Sequence, residues 1–387
     1  MQSGRRAGRY FVVCSKWCAL LSRVFVIEPI AVDRTLAHLL VVVPSRLALI
    51  LDAPVEFARA AANGRLESAA SEIRLHSCPR RGPAAVRHAG RIGRTQGQVH
   101  HRCSLPGHEL VFRLHTRHGG ALHGSPGSYK DFKFITPLLV DEGYRVVGIN
   151  YPGFTVSGDS DELQHHNEER TVFAQTIIDR LALKDSLLFL AHSRGCENAL
   201  RLAVANQEKS IGMALVAGTG FRVHRGIKPV SRLKKINHVY ETYPLIRRPM
   251  EKLFYQVYTR FLKIKARDGR QALNAIKSMS LCDLEHQKPF VDEFNKNAKL
   301  LALVCYSGRD KFIETEILTE FAAAFLERVH FSLRKDDSEQ AVTDQIVKAF
   351  TEDYKRCVSV ELTDDNHYAQ KHRAKLIARS IDAMFEA

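Results

Sequence analysis

The sequence predicts an α/β domain from about residue 120 to the C-terminus, with a mostly parallel sheet, helices on both faces and a helical insertion. Three observations predict it. From Gly120 onward short apolar runs alternate with helix-length segments, the pattern of successive βαβ units. Runs such as SLLFLA and IGMALVA are nearly continuous in apolar residues, as strands covered on both faces are. Composition changes abruptly near residue 120: Lys16 is the only lysine before it, and twenty follow it.

The elements follow in order. Arg145–Asn150 (RVVGIN) reads as a buried strand stopped by Tyr151-Pro152-Gly153, because proline and glycine end a ladder. Asn167–Leu183 carries helical spacing at Val172, Ala174, Ile177, Ile178 and Leu181. Ser186–Ala191 (SLLFLA) is a second buried strand, followed by a helix from about Glu197 to Ala205. Ile211–Ala217 and Lys299–Tyr306 are a third and a fourth strand, and Cys357–Leu362 alternates as a last strand. Ala369–Phe385 is an amphipathic closing helix. Between the third and fourth strands, about 223–299, the pattern is helical and strongly basic, with 17 Lys/Arg against seven Asp/Glu. An insertion at this point of an α/β sheet caps the strand ends where ligands bind.

The chain divides into an extension, 1–119, and a domain, 120–387. The net charge of +15 raises nucleic-acid and membrane readings. Residues 1–120 carry 17 Arg, one Lys and seven acids, a net of +11, so most of the charge lies outside the domain. The extension reads as poorly ordered, disordered or partly helical, since no element-scale pattern precedes about residue 105. Its start, Met1–Pro29, is Arg-containing and acid-poor, which fits mitochondrial targeting. Leu39–Val43 and Leu47–Leu51 are split by Pro44, Ser45 and Arg46, too short for a membrane span of ~20 residues. No recognisable nucleic-acid-binding motif accompanies the charge. The eight cysteines show no CxxC pair, so no metal site and no structural disulfide is expected. The protein reads as intracellular and cytoplasmic, with the mitochondrion as the alternative.

The sharpest chemical signal is Ala191-His192-Ser193-Arg194-Gly195 between a buried strand and a helix. This is a G-x-S-x-G nucleophile elbow with Ala in the first small position. The turn forces Ser193 into strained φ/ψ, and small residues at 191 and 195 let the backbones approach. Some 70 residues earlier His123-Gly124-Ser125-Pro126-Gly127 stands where an oxyanion loop belongs. The backbone N–H groups of Ser125 and Arg194 would then cradle the oxyanion, with His123, Gly124 and Gly195 as supporting motif residues. Chain order in such a fold is Ser, acid, His. Asp310 in YSGRD follows a buried strand and is the acid candidate, while Asp336 and Asp337 compete from a polar run. His367 in DDNHY follows the last strand and is the base candidate. The Arg194 side chain either lines the pocket to hold a substrate carboxylate or phosphate, or pairs with Glu197, Asp310 or another acid. Cys196 reads as core.

The pieces HGSPGSYKDFKFI, GINYPGF, NEER, AHSRGCENALRLA, YSGRDKFIE and DNHYAQKHRAKLIA resemble an uncharacterised invertebrate α/β-hydrolase family, a domain of unknown function. The resemblance spans about residues 120–387. It implies the α/β-hydrolase fold and gives Ser193, Asp310 and His367 the triad roles. Three departures stand out. The nucleophile position holds Ser rather than Asp, which argues against the dehalogenase and epoxide-hydrolase branches despite their similar HGxPG loop. Asp310 stands two residues after Gly308, where three is commoner. RLHTRHGGAL, before the oxyanion loop, lacks a β-branched apolar run.

The expected activity is cofactor-independent hydrolysis of an ester, thioester or amide through a Ser193 acyl-enzyme, carboxylesterase- or lipase-like. The substrate class is a small acyl compound, anionic or lipid-like if the basic insertion steers it. The competing reading is a non-catalytic α/β-hydrolase-fold binding module, which gains if His367 cannot reach both Ser193 and a carboxylate.

Overall fold

The computed structural model describes residues 117–154, 157–183 and 185–387, and before them the backbone of four short strands. These are β1 (Leu49–Asp52), β2 (Arg74–Ser77), β3 (His100–Leu105) and β4 (His108–Arg113). The sequence reading assigns no element to any of these four strands, because runs such as HHRCSL carry no apolar periodicity. The remainder of 1–116, including the targeting segment, lies outside the described residues.

Seven strands form the parallel sheet: β5 (His118–Leu122), β6 (Arg145–Asn150), β7 (Leu187–His192), β8 (Ser210–Val216), β9 (Leu301–Ser307), β10 (Arg328–Leu333) and β11 (Cys357–Leu362). Their order is β10-β11-β9-β8-β7-β5-β6, with β1 parallel beyond β6 and β2 antiparallel at that edge. β3 and β4 make a separate hairpin ladder. The expected strands fall within two residues of the observed ones. β5 and β10 are not among them, and the structure shows why: β5 is HGGAL, with two glycines, and only Leu333 of the edge strand β10 is buried.

The parallel sheet needs cover on both faces, and the sequence supplies it by alternation. In β7, Leu187 and Phe189 enter one core cluster while Leu188 and Leu190 enter the other. One face is covered by α2 (Asn167–Arg180), α3 (Gly195–Ala205) and α8 (Thr315–Ala323), through residues such as Phe173, Leu200 and Phe321. The other is covered by α1 (Ile135–Asp141), α9 (Glu339–Thr351) and α11 (Ala374–Glu386), through Leu139, Phe350 and Ile377. The closing helix expected over Ala369–Phe385 is two helices, α10 (Ala369–His372) and α11, parted at Arg373. The Arg373 guanidinium is tied there to Asp365 and Glu339.

The insertion is helical, as expected: α4 (Val230–Thr242), α5 (Arg247–Gln256), α6 (Gly269–Ser280) and α7 (Lys288–Lys296). Its last helix belongs with the sheet layer, since Val291 and Phe294 of α7 are buried in the first core cluster. Among the described residues no helix is long and apolar enough to cross a membrane. Because β5, β7, β9 and β11 run parallel, the loops leaving their C-terminal ends meet on one edge.

Candidate active site

Ser193 stands directly after β7 with φ of 54°, a left-handed conformation unusual for a residue with a side chain. Two close approaches hold the turn. A Cβ on Gly195 would lie 2.2 Å from the Leu122 carbonyl oxygen, and one on Gly124 would lie 2.9 Å from Ser193 Cβ. Only glycine lets the elbow and the loop after β5 come this close. The Ser193 N–H donates to Val216 O at 2.9 Å, so the strained turn keeps its backbone bond.

Ser193 Oγ lies 3.0 Å from His367 Nε2, and His367 Nδ1 lies 2.6 Å from Asp310 Oδ2. The carboxylate can only accept, so Nδ1 carries the proton and Nε2 is left to accept from the serine hydroxyl. All three side chains are buried. Asp310 is itself anchored, its Oδ1 accepting the N–H groups of Phe312 at 2.7 Å and Ile313 at 3.1 Å. The loops bearing acid and histidine are laced together. Gly308 N–H donates to Leu362 O, Arg309 N–H to Asp365 O, and Ser307 Oγ to Asn366 O. This lacing brings Asp310 to His367 although the acid stands only two residues after Gly308. Asp336 does not take part, and Asp337 instead accepts the Arg334 N–H at 2.8 Å.

The HGSPG loop curls beside the serine. His123 is fully buried; its Nε2 accepts the Tyr151 N–H at 3.1 Å and its Nδ1 donates to Gly124 O at 2.8 Å. Burial, with the nearby Arg170 charge, lowers its pKa to about 3, so the ring is neutral and structural. Ser125 Oγ reaches Ala275 O in α6 at 3.4 Å, so the loop touches the insertion. Among the described residues neither the Ser125 N–H nor the Arg194 N–H donates to a protein acceptor.

The Arg194 side chain corrects both sequence expectations: it neither lines a pocket nor pairs with an acid. It is fully buried beneath the insertion. Nη1 donates to the carbonyl and, at 2.8 Å, to the hydroxyl of Ser278. Nη2 donates to Asn167 Oδ1 at 3.1 Å, His165 O at 3.2 Å and Leu281 O at 3.4 Å. The physical reason lies in α6, whose C-terminal carbonyls carry the negative end of the helix dipole and take the place of a carboxylate.

Three further buried residues around the site have contacts that the sequence does not assign. His192 Nε2 donates to His367 O at 2.8 Å, and the two rings stand 4.9 Å apart. Burial holds its pKa well below the usual imidazole value, followed by the effect of His367. Its only sequence signal is adjacency to Ser193. Arg170, within NEER, donates to His123 O at 2.9 Å and to Asn198 Oδ1 at 3.0 Å, with its guanidinium 3.8 Å from the Tyr151 ring centre. Burial lowers its pKa to about 10, which leaves it charged beneath the HGSPG loop. Glu197 is fully buried, its Oε1 accepting from Thr219 Oγ1 at 3.0 Å. Cys196 is core, its thiol pushed upward by burial.

A seven-stranded parallel sheet, an elbow after its interior strand β7 and a helical insertion over the strand ends together define an α/β hydrolase. The chain belongs to the family described as "Alpha/beta hydrolase of unknown function (DUF1057)", which matches residues 119–386. It is 26% identical over 277 residues to the uncharacterized protein F35H12.5 of Caenorhabditis elegans, covering 69% of this chain and 76% of that one. Among solved structures it is similar to the haloalkane dehalogenase DbeA from Bradyrhizobium elkani, with 14% identity, a TM-score of 0.46, and coverage of 75% of this chain and 99% of that one. It is also similar to a bromoperoxidase from Bacillus anthracis, with 12% identity, a TM-score of 0.47, and coverage of 75% and 100%.

Proposed function

We propose that the protein is a serine hydrolase that cleaves an ester, thioester or amide through an acyl-enzyme on Ser193. The observation that carries this reading is the unbroken hydrogen-bonded chain Asp310–His367–Ser193. The serine hydroxyl gives its proton to His367 Nε2 as Oγ attacks the acyl carbonyl. Asp310 holds the tautomer that makes Nε2 the acceptor and stabilises the imidazolium that forms. The tetrahedral oxyanion takes the free N–H groups of Ser125 and Arg194, each worth roughly 10²–10³ in rate. His367 then protonates the leaving alcohol, thiol or amine, and activates a water that hydrolyses the acyl-enzyme.

The site is cofactor-independent in this account, and the substrate is a small acyl compound of carboxylesterase or lipase type. The same chain of bonds supports catalysis over a binding-only use of the fold, which would need neither a neutral Nε2 at 3.0 Å from the hydroxyl nor an anchored acid. A panel of p-nitrophenyl esters of increasing acyl length, with matching thioesters, tests the reading. Wild type turns over at least one member, and Ser193→Ala lowers kcat by about 10³ or more while leaving the melting temperature in place. Equal rates in the two proteins exclude Ser193 as nucleophile.

A further inference from the structure

Seven of the eleven large apolar side chains exposed among the described residues fall within one stretch of the insertion, Tyr243 to Leu262. Leu245 is 95% exposed and Phe261 79%. The inner face of α5 is already satisfied, since Met250 and Phe254 pack on the core beneath it. The outer face is therefore apolar for a second reason. Cations are set among these residues: 243–265 holds six Lys/Arg and a single acid. That acid, Glu251, accepts the Tyr240 hydroxyl at 2.6 Å. Arg248, Lys252 and Arg260 are exposed beside Leu253 and Phe261.

This stretch also borders the candidate site. Its helix α5 packs along α6, whose carbonyls accept from Ser125 Oγ and from the Arg194 guanidinium.

We propose that the face from Tyr243 to Lys265 docks on an anionic lipid bilayer, with Leu245, Leu253 and Phe261 entering the interface and Arg248, Lys252 and Arg260 resting on the headgroups. Charge selects this occupant. A bilayer surface offers an apolar layer beneath a sheet of negative charge, which matches large apolar side chains ringed by cations. A second copy of the chain would bring six cations against six in a two-fold contact. A nucleic acid would satisfy the cations and leave leucine and phenylalanine in water. The proposal goes beyond the hydrolase reading and does not require Ser193 to react.

Co-sedimentation of the full chain with vesicles tests it without any activity measurement. Because residues 1–120 carry a net +11 of their own, the comparison is between full-length proteins that differ only in this face. Wild type should partition onto phosphatidylcholine–phosphatidylserine vesicles about tenfold or more above phosphatidylcholine alone. The triple variant Leu245→Ser, Leu253→Ser, Phe261→Ser should lose about tenfold of that partition at an unchanged melting temperature. Should that variant misfold, the charge variant Arg248→Glu, Lys252→Glu, Arg260→Glu is read in its place, with the same loss expected. Equal partition of wild type and variant, or equal partition on neutral vesicles, overturns the proposal. So does a wild-type dimer that the serine variant converts to monomer.

Discussion

Ser193, Asp310 and His367 sit on three separate loops, yet two hydrogen bonds of 3.0 and 2.6 Å link them. Each was legible for a different reason. Ser193 announces itself through local sterics, because a strand-to-helix elbow admits few sequences. His367 and Asp310 carry no such local signature and were found by their places after the last strand and after β9. The unusual spacing from Gly308 to Asp310 is absorbed by backbone bonds between the two loops and by the Phe312 and Ile313 N–H groups. Arg194 shows where such reading stops. Its neighbours in sequence suggest a pocket cation or an ion pair, but its partners are carbonyls of Ser278 and Leu281, more than eighty residues on. No local pattern encodes a contact of that kind. The bond of His192 to His367 O is of the same kind, crossing 175 residues.

At the scale of elements, the inner strands were readable because cover on both faces makes them predominantly apolar. β6 and β11 match their expected limits. β5 and β10 were harder. β5 is HGGAL, where Gly119 and Gly120 leave little hydropathy to read, and β10 lies at an edge with one buried side chain. Helix packing was not legible at all, and the link between the elbow and α6 is its clearest case. Arg194 joins the residue before α3 to the C-terminal turn of α6 through charged hydrogen bonds. Arg194→Met keeps the bulk and removes those bonds. It should lower unfolding free energy by about 1.5–3 kcal/mol, a typical cost for bonds to a charged donor. Amide hydrogen exchange should quicken selectively in α6. Urea titration and exchange measurements showing no change would mean that the guanidinium holds nothing in place.

For the whole molecule, buried histidines set the response to acid. His123, His165 and His192 are held below the ordinary imidazole value chiefly by burial, His123 at about 3. Folded, they stay neutral; unfolded, each takes up a proton below about 6.5. Their contribution to stability is therefore complete above that pH and is lost as pH falls. Asp131 works in the opposite direction, its carboxyl raised by burial to about 6, so between about 4 and 6 the folded chain holds a proton that the unfolded one lacks. The buried rings bind more protons when unfolded than Asp131 gives up, so stability falls as pH drops below about 6.5. Urea-unfolding free energies at pH 6, 5 and 4.5 should decrease in that order, and a flat profile would contradict the neutral buried rings.

The proposed chemistry depends on Ser193 Oγ being the reacting atom. A fluorophosphonate probe reports this most directly, because it bonds only to an activated hydroxyl and peptide mass spectrometry locates it. The expected result is a single adduct on Ser193 in the wild type, none in Ser193→Ala, and labelling slowed by about 10³–10⁴ in Asp310→Asn, where the imidazole tautomer is no longer held. Folded wild-type protein that carries no adduct at Ser193 after prolonged exposure would contradict it.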